Sequence, residues 1–138
     1  MKLYIVATPI GNLEDMSFRA VRILKEVDLI AAEDTRHSRV LLQHYDITTP
    51  STSFHSYTSD AKASALIKEI LSGKTLALIT DAGTPGISDP AWVLVQKALT
   101  AGIEIVPVPG PAAFLTALMG SGLPMNEFLY LGFIPAKK

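Results

Sequence analysis

The sequence predicts an α/β fold, with a mostly parallel five-stranded sheet and helices on both of its faces. Short apolar runs bounded by turn residues are typical of strands buried in a parallel sheet. Segments with helical periodicity alternate with these runs, which is the pattern of strands joined by helical crossovers. The chain has 138 residues, of which 49% are hydrophobic and 18% charged, as expected for one globular α/β domain.

The predicted strands lie at 3–7, 29–32, 51–55, 76–79 and 103–108. The run from Leu76 to Ile79 is entirely apolar, so we expect it to be buried on both faces of the sheet. The polar segment 51–55 has the weakest strand pattern. A further apolar strand is expected at 128–133, and a basic segment, Pro135 to Lys138, follows it. This ending predicts the entry into a second domain.

Helix signals fill the intervals between the strands. Ser17 is expected to cap a helix at 18–27, Thr35 a helix carrying Leu41 and Leu42, and Asp89, followed by Pro90, a helix at 91–101. A helix begun by Ser59 or Asp60 and closed by Gly73 should bury an apolar face. That face consists of Ala63, Leu66, Ile67, Ile70 and Leu71. Trp92 is expected to pack against the core, and a last apolar helix should begin near residue 113.

Composition excludes several classes of protein. The chain has no cysteine, which excludes disulfides and thiolate catalysis or metal binding. No run approaches the roughly 18 apolar residues of a membrane span, and the first residues do not form a signal peptide. We therefore expect a cytoplasmic protein without a metal site. The net charge of −1 gives no basic footprint for nucleic acid, so an RNA substrate would need phosphate contacts from elsewhere.

The loops after the predicted strands are the expected ligand site, because ligands of parallel sheets collect at the carboxyl ends of strands. After the fourth strand, Gly83 and Gly86 allow a ligand to approach the backbone and Pro85 stiffens the loop. The first loop lacks the GxGxxG fingerprint, which argues against a plain dinucleotide site. The small side chains of Ala112 and Ala113 leave room for a flat ring or ribose, or allow close packing of helix on sheet. Both interpretations stay open.

Four motifs follow the strands in order: GNLED, AAEDTRHS, DAGTPGISDP and VPGPAA. Together they resemble the tetrapyrrole (corrin/porphyrin) methylase superfamily, most closely its branch of ribosomal RNA small subunit methyltransferases I. The resemblance covers the whole chain and implies a class III methyltransferase fold. It also implies a domain that binds S-adenosylmethionine at 1–128 and the start of a connector to a second domain at 129–138. The implied reaction is 2′-O-methylation of a cytidine in 16S ribosomal RNA by a homodimer.

The resemblance also implies a set of cofactor-binding residues: Ile10, Ala82, Gly83, Thr84, Ile87, Ala112 and Ala113. Relatives that methylate porphyrins carry an acid where this chain has Thr84. Recognition of the ammonium group of the cofactor would then come from Asp81 or from a backbone carbonyl.

Candidates for the chemistry of methyl transfer are Glu33, Asp34, Arg36, His37 and His55, all expected at the carboxyl edge of the sheet. The two acids could position a base or ribose, Arg36 could hold a phosphate, and a histidine could take the hydroxyl proton. A structural interpretation stays open for each residue. In that interpretation Asp34 and Thr35 cap the helix, Glu33 pairs with Arg36, and the histidines lie on the surface.

Two departures from the pattern of the branch affect the substrate more than the cofactor. The segment from His55 to Thr58 replaces a usual His-x-His-Asn, and Ala91 replaces a usual glycine. Two rival functions therefore remain. One is a methylase of a tetrapyrrole or another small molecule, and the other is a non-catalytic binding or dimerisation module.

Overall fold

A computed structural model describes residues 1–55, 59–87, 89 and 91–133. The strands are β1 (Lys2–Val6), β2 (Leu29–Ala32), β3 (Ser51–Ser53), β4 (Leu76–Ile79) and β5 (Glu104–Val108). The helices are α1 (Phe18–Glu26), α2 (Thr35–His44), α3 (Ser59–Leu71), α4 (Ala91–Thr100) and α5 (Ala113–Ser121). A 3-10 turn at Leu13–Asp15 precedes α1.

The five strands form one parallel sheet in the order β3-β2-β4-β1-β5. Successive side chains of β4 enter opposite cores, because strand side chains alternate between the two faces. Leu76 and Leu78 pack with α3 and α4, whereas Ala77 and Ile79 pack with α1 and α2. The predicted parallel sheet with helices on both faces is confirmed.

The N-terminal caps of α1 and α2 can be compared with the predicted starts of these helices. Ser17 caps α1 as predicted, because its Oγ accepts a hydrogen bond from the N–H of Ala20 at 3.1 Å. Thr35, however, is not the cap of α2. It is already the first helical residue, and the carboxylate of Asp34 accepts from the N–H of Arg36 at 2.8 Å instead.

Three other expectations are wrong. Leu71 is the last residue of α3 and lies about half exposed, so it does not belong to the buried face of that helix. Trp92 is exposed on α4. The segment 128–133 is not a strand, because it does not pair with the sheet. An apolar run without a neighbouring strand cannot form the backbone hydrogen bonds of a strand. The segment contacts α5 instead, where the ring of Phe114 lies 4.9 Å from that of Tyr130.

Several expectations fall on residues 56–58, 90 and 134–138, which lie outside the described part of the chain. These expectations are the replacement of the usual His-x-His-Asn at the positions after His55, Pro90 at the start of a helix, and the basic segment at the end of the chain. Within the described ranges, no helix is both long enough and apolar enough to cross a membrane.

Candidate functional site

A cavity of about 590 Å³ opens at the carboxyl ends of β1, β2 and β4, against the start of α5. Its volume falls in the range of roughly 300–1,000 Å³ that is typical of small-molecule sites. All eight residues expected to bind the cofactor line it: Ile10, Asp81, Ala82, Gly83, Thr84, Ile87, Ala112 and Ala113. Other lining residues are Glu33, Thr80, Asp89, Phe114, Tyr130, Gly132 and Phe133.

The loops after β1 and β4 are joined by a short antiparallel bridge. The N–H of Thr8 donates to the carbonyl of Gly83 at 2.9 Å, and the N–H of Gly83 donates back at 3.1 Å. Gly83 has a φ of +85°, and a Cβ built on it would lie 3.3 Å from Cγ2 of Ile10. Only glycine adopts this conformation without strain, and its missing side chain leaves the cavity open beside Ile10.

The loop after β5 is held close to the other two. The hydroxyl of Thr84 donates to the carbonyl of Pro111 at 3.0 Å. A Cβ on Gly110 would lie 2.8 Å from the Cβ of Ala7, so only glycine allows this approach. Ala112 and Ala113 follow directly, half-buried and exposed, and line the cavity. Their position favours space for a ligand over close packing of helix on sheet.

Carboxylates dominate the charge of the cavity. Glu33, Asp81 and Asp89 line it, and its described lining contains no lysine or arginine. Asp89 also fixes the end of the β4 loop, because its two oxygens accept from the N–H groups of Gly86 at 2.8 Å and Ala91 at 2.9 Å. Such a lining favours a ligand that carries positive charge and disfavours one that carries phosphates.

The acids after β2 are tied to the β4 loop through backbone donors. Glu33 Oε2 accepts from the N–H of Asp81 at 3.3 Å, and Asp81 Oδ1 accepts from the N–H of Asp34 at 3.1 Å. Glu33 does not pair with Arg36, so that structural interpretation is wrong. Glu33 is among the residues that line the larger cavity.

Asp34 and Arg36 form an ion pair with two hydrogen bonds. Arg36 donates from Nε at 3.2 Å and from a terminal nitrogen at 2.8 Å. These bonds, together with the N–H of Arg36, lower the pKa of Asp34 to about 2. Asp34 is thus a weak base, and it orients Arg36, whose side chain is 90% exposed. The structural interpretation of Asp34 as a cap is confirmed as well.

The two histidine candidates lie in different places. His37 lines a second cavity of about 210 Å³, which we call the side cavity and which shares Thr80 and Asp81 with the larger one. His55 is half-buried just after β3, and it is not among the residues lining either cavity. The structure therefore brings Glu33 and His37 to adjoining cavities and leaves His55 apart from them.

The chain matches the family of Tetrapyrrole (Corrin/Porphyrin) Methylases over residues 2–134. It belongs to this family. It is 52% identical to the ribosomal RNA small subunit methyltransferase I of Halalkalibacterium halodurans, with 99% of this chain and 47% of the relative covered. It is 51% identical to the protein of the same name from Escherichia coli O157:H7, with 99% and 48% covered. The chain thus spans about half the length of these curated relatives.

Two solved structures share the fold of this chain. Uroporphyrin-III-C-methyltransferase from Thermus thermophilus superimposes with a TM-score of 0.69 at 23% identity, covering 91% of this chain and 54% of that one. A diphthine synthase superimposes with a TM-score of 0.70 at 16% identity, covering 87% and 48%. At such identities the comparison shows a shared fold.

Sequence reasoning missed six residues of the cavity lining: Thr80, Asp89, Phe114, Tyr130, Gly132 and Phe133. The sequence predicts only a capping role for Asp89, although its position at the end of the glycine-containing loop is the available signal. Phe114 and Tyr130 meet through the course of 128–133 past α5, which no local pattern predicts.

Proposed function

We propose that this chain is the part of a ribosomal RNA methyltransferase that binds S-adenosylmethionine, and that the enzyme methylates the 2′-oxygen of a cytidine in 16S ribosomal RNA. The proposal is supported by relatives named ribosomal RNA small subunit methyltransferase I, whose sequences are 51–52% identical to this chain. Because this chain spans about half of them, we propose that residues 1–128 form the cofactor domain and that 129–138 lead toward a second domain.

The observation that carries the proposal is the charge and shape of the larger cavity. S-adenosylmethionine bears a sulfonium and an ammonium group against one carboxylate, so three lining carboxylates and no described basic side chain suit it. Ile10, Ile87 and Ala112 offer apolar surface to a flat ring. Thr84 replaces an acid of the porphyrin-methylating relatives, and the nearby Asp81 is the proposed partner of the ammonium group.

When bound, the cofactor would supply an electrophilic methyl group. The residues of this chain would orient the acceptor hydroxyl and remove its proton. Glu33 is the proposed proton acceptor, because its carboxylate lines the cavity whereas that of Asp34 is held by Arg36. His37 is the alternative, since it lines the adjoining side cavity. Exposed Arg36 would contact a phosphate of the RNA.

We also propose that the enzyme is a cytoplasmic homodimer. Apolar side chains at Leu129, Leu131 and Phe133 are about four-fifths exposed. Exposed apolar surface of this kind marks contact sites between proteins. For the chain of 138 residues on its own, a second copy of the chain is the proposed occupant of this surface.

The deciding experiment compares this chain with the longer protein on small ribosomal subunits that lack the methyl group. The longer protein should methylate the cytidine 2′-oxygen, and the chain of 138 residues should be inert, because its net charge of −1 supplies little phosphate neutralisation. Arg36→Ala in the longer protein should lower kcat/KM roughly 10- to 100-fold, as expected for loss of a charge-assisted hydrogen bond. Arg22→Ala is the control, since Arg22 is also exposed and paired, with Glu26 on α1.

Two outcomes would contradict the proposal. Substantial methylation by the short chain would show that no second domain is needed. Transfer to uroporphyrinogen, and none to the ribosomal particle, would assign the enzyme to small-molecule methylation instead.

A further inference from the structure

Ser38 is a buried polar residue whose hydroxyl has no hydrogen-bond partner among the described residues. It lies on α2 and is only 3% exposed. Helical serines usually donate to the carbonyl four residues earlier, as Ser64 does to Asp60 at 3.0 Å. An unpaired hydroxyl in the interior is unfavourable unless something else pairs with it. Ser38 is among the residues that line the side cavity, and its hydroxyl oxygen is itself buried. A rotation of this short side chain toward the cavity would let a ligand there supply the missing partner.

The side cavity suits a small, uncharged ring. Its volume of about 210 Å³ is too small for a whole nucleotide cofactor but sufficient for one heterocycle. Pro9, Leu13 and Leu41 contribute apolar walls, and its described lining holds no lysine or arginine for a phosphate. Asn12 adds polar groups at the rim, where its Oδ1 already accepts from the N–H of Glu14 at 3.0 Å and its amide N–H groups remain to donate.

The location of the side cavity connects it to the reaction. It shares Thr80 and Asp81 with the larger cavity, so a group bound in it adjoins a ligand bound in the other. For transfer to a ribose oxygen, the acceptor ribose would lie against the cofactor, and the wall of Thr80 and Asp81 is where the two cavities meet. The base attached to that ribose then needs space on the far side, which the side cavity provides. Exposed Arg36 and Arg39 on the same helix would meet the phosphates outside.

We infer that the side cavity binds the pyrimidine base of the acceptor nucleotide, with the hydroxyl of Ser38 hydrogen-bonded to the polar edge of that base. This inference rests on the proposed function and adds to it the residues that hold the base. A cytosine edge presents both acceptors and a donor, and a serine hydroxyl can donate and accept. Ser38 is therefore a substrate-binding residue with no part in binding the cofactor.

The test is Ser38→Ala in the longer protein. Loss of the hydrogen bond should lower kcat/KM for small ribosomal subunits about 3- to 10-fold. The dissociation constant for S-adenosylhomocysteine should not change, because Ser38 does not line the larger cavity. The melting temperature should not fall, because the hydroxyl has no described partner to lose. Ser38→Thr keeps the hydroxyl and should retain most of the activity. Ser64→Ala removes a helical serine hydroxyl elsewhere and is the matched control.

A second variant tests the rim of the same cavity. Asn12→Asp keeps the oxygen that accepts from Glu14 and replaces the amide donors with a negatively charged carboxylate oxygen, so the 3-10 turn should persist. It should weaken the RNA step in the same direction as Ser38→Ala.

The outcomes separate the inference from the proposed function. If the unaltered protein methylates RNA and Ser38→Ala does so equally well, the inference is overturned and the proposed function stands. If Ser38→Ala weakens S-adenosylhomocysteine binding, the side cavity belongs to the cofactor and the inference is also overturned. If the unaltered protein transfers no methyl group to RNA, both fail.

Discussion

At the scale of single residues, the geometry of Gly83 determines whether the larger cavity is open. Its φ is +85°, and a Cβ built on it would lie 3.3 Å from Cγ2 of Ile10. A larger side chain at this position would therefore enter the larger cavity. The bridge to Thr8 fixes this backbone from both sides. A substitution of Gly83 should therefore block ligand binding while the chain still folds.

We predict that Gly83→Leu abolishes binding of S-adenosylhomocysteine, measured by calorimetry. Gly102→Leu is the control, because Gly102 has a φ of +70° but open space around it. Both variants should lose about 1–3 kcal/mol of unfolding free energy from backbone strain. Only Gly83→Leu should lose the ligand. Equal binding by both variants would show that the ligand lies elsewhere.

The ion pair of Asp34 and Arg36 predicts an acid titration. The pKa of Asp34 is about 2 in the folded chain against 3.8 for a free aspartate, chiefly because of the side-chain hydrogen bonds from Arg36. A depressed folded pKa stabilises the fold above about pH 4, and this stabilisation is lost as the pH falls toward 2.

NMR titration of the Asp34 carboxyl should show the low pKa, and Arg36→Ala should move it toward the ordinary value. Asp28 serves as the internal reference, because its lowered pKa comes chiefly from Thr75 and should not move. An unchanged Asp34 in the variant would refute the assignment.

The sequence could predict which residues meet at the cavity because parallel strands place their carboxyl ends at one edge. That rule predicts that the loops after β1, β4 and β5 meet, and the resemblance names Ile10, Asp81 and Ala112 within those loops. All three residues line one cavity. It could not decide between Glu33 and Asp34 as the partner of Arg36, because both lie within reach along the chain. The sequence also could not predict that the Ser38 hydroxyl is buried without a hydrogen-bond partner among the described residues, because this depends on how α2 packs against the loop after β1.

At the scale of elements, the junction between the β4 loop and α4 depends on Asp89. Its carboxylate joins Gly86 of the loop to Ala91 of the helix, so one side chain sets both the helix start and the loop shape. Local signals of this kind are readable from sequence, and β2 and β4 were predicted to the residue. The error at 128–133 arose because a strand needs a neighbouring edge, which an apolar run does not reveal.

Asp89→Ala should lower the free energy of unfolding by about 0.5–2 kcal/mol, as for loss of a helix cap. Ser17→Ala removes the cap of α1, far from the cavity, and should destabilise similarly. Denaturant unfolding measures both effects. Only Asp89→Ala should also weaken S-adenosylhomocysteine binding, because it frees the glycine loop. Identical affinity in the two variants would mean that the loop shape does not matter for binding.

At the scale of the whole molecule, apolar surface is concentrated in the last described residues. Helix α5 buries none of its side chains, and the segment after it exposes Leu129, Leu131 and Phe133. Two cores sandwich the sheet elsewhere. The free surface therefore lies at one end of the fold, beside the larger cavity that Phe133 and Tyr130 help to line.

We predict that the chain self-associates at micromolar concentration, since covering these side chains removes apolar surface from water. Sedimentation velocity should show dimers, and replacing Leu129, Leu131 and Phe133 together by serine should give monomers. Phe18→Ser is the control, because Phe18 is equally apolar and 96% exposed on α1. Monomers alone in the unaltered chain would contradict the prediction.

The strand order has a consequence for how the protein is made. β1 and β2 are consecutive in the chain, yet β4 lies between them, and Leu3 pairs with Leu76 on one side and Ile105 on the other. A nascent chain leaving the ribosome must therefore keep β1 unpaired until β4 and β5 have been synthesised. Pairings between segments so distant in the chain form slowly, and a strand that is still unpaired is prone to aggregation. β1, which in the described sheet pairs only with β4 and β5, is thus the strand for which protection by chaperones during translation matters most.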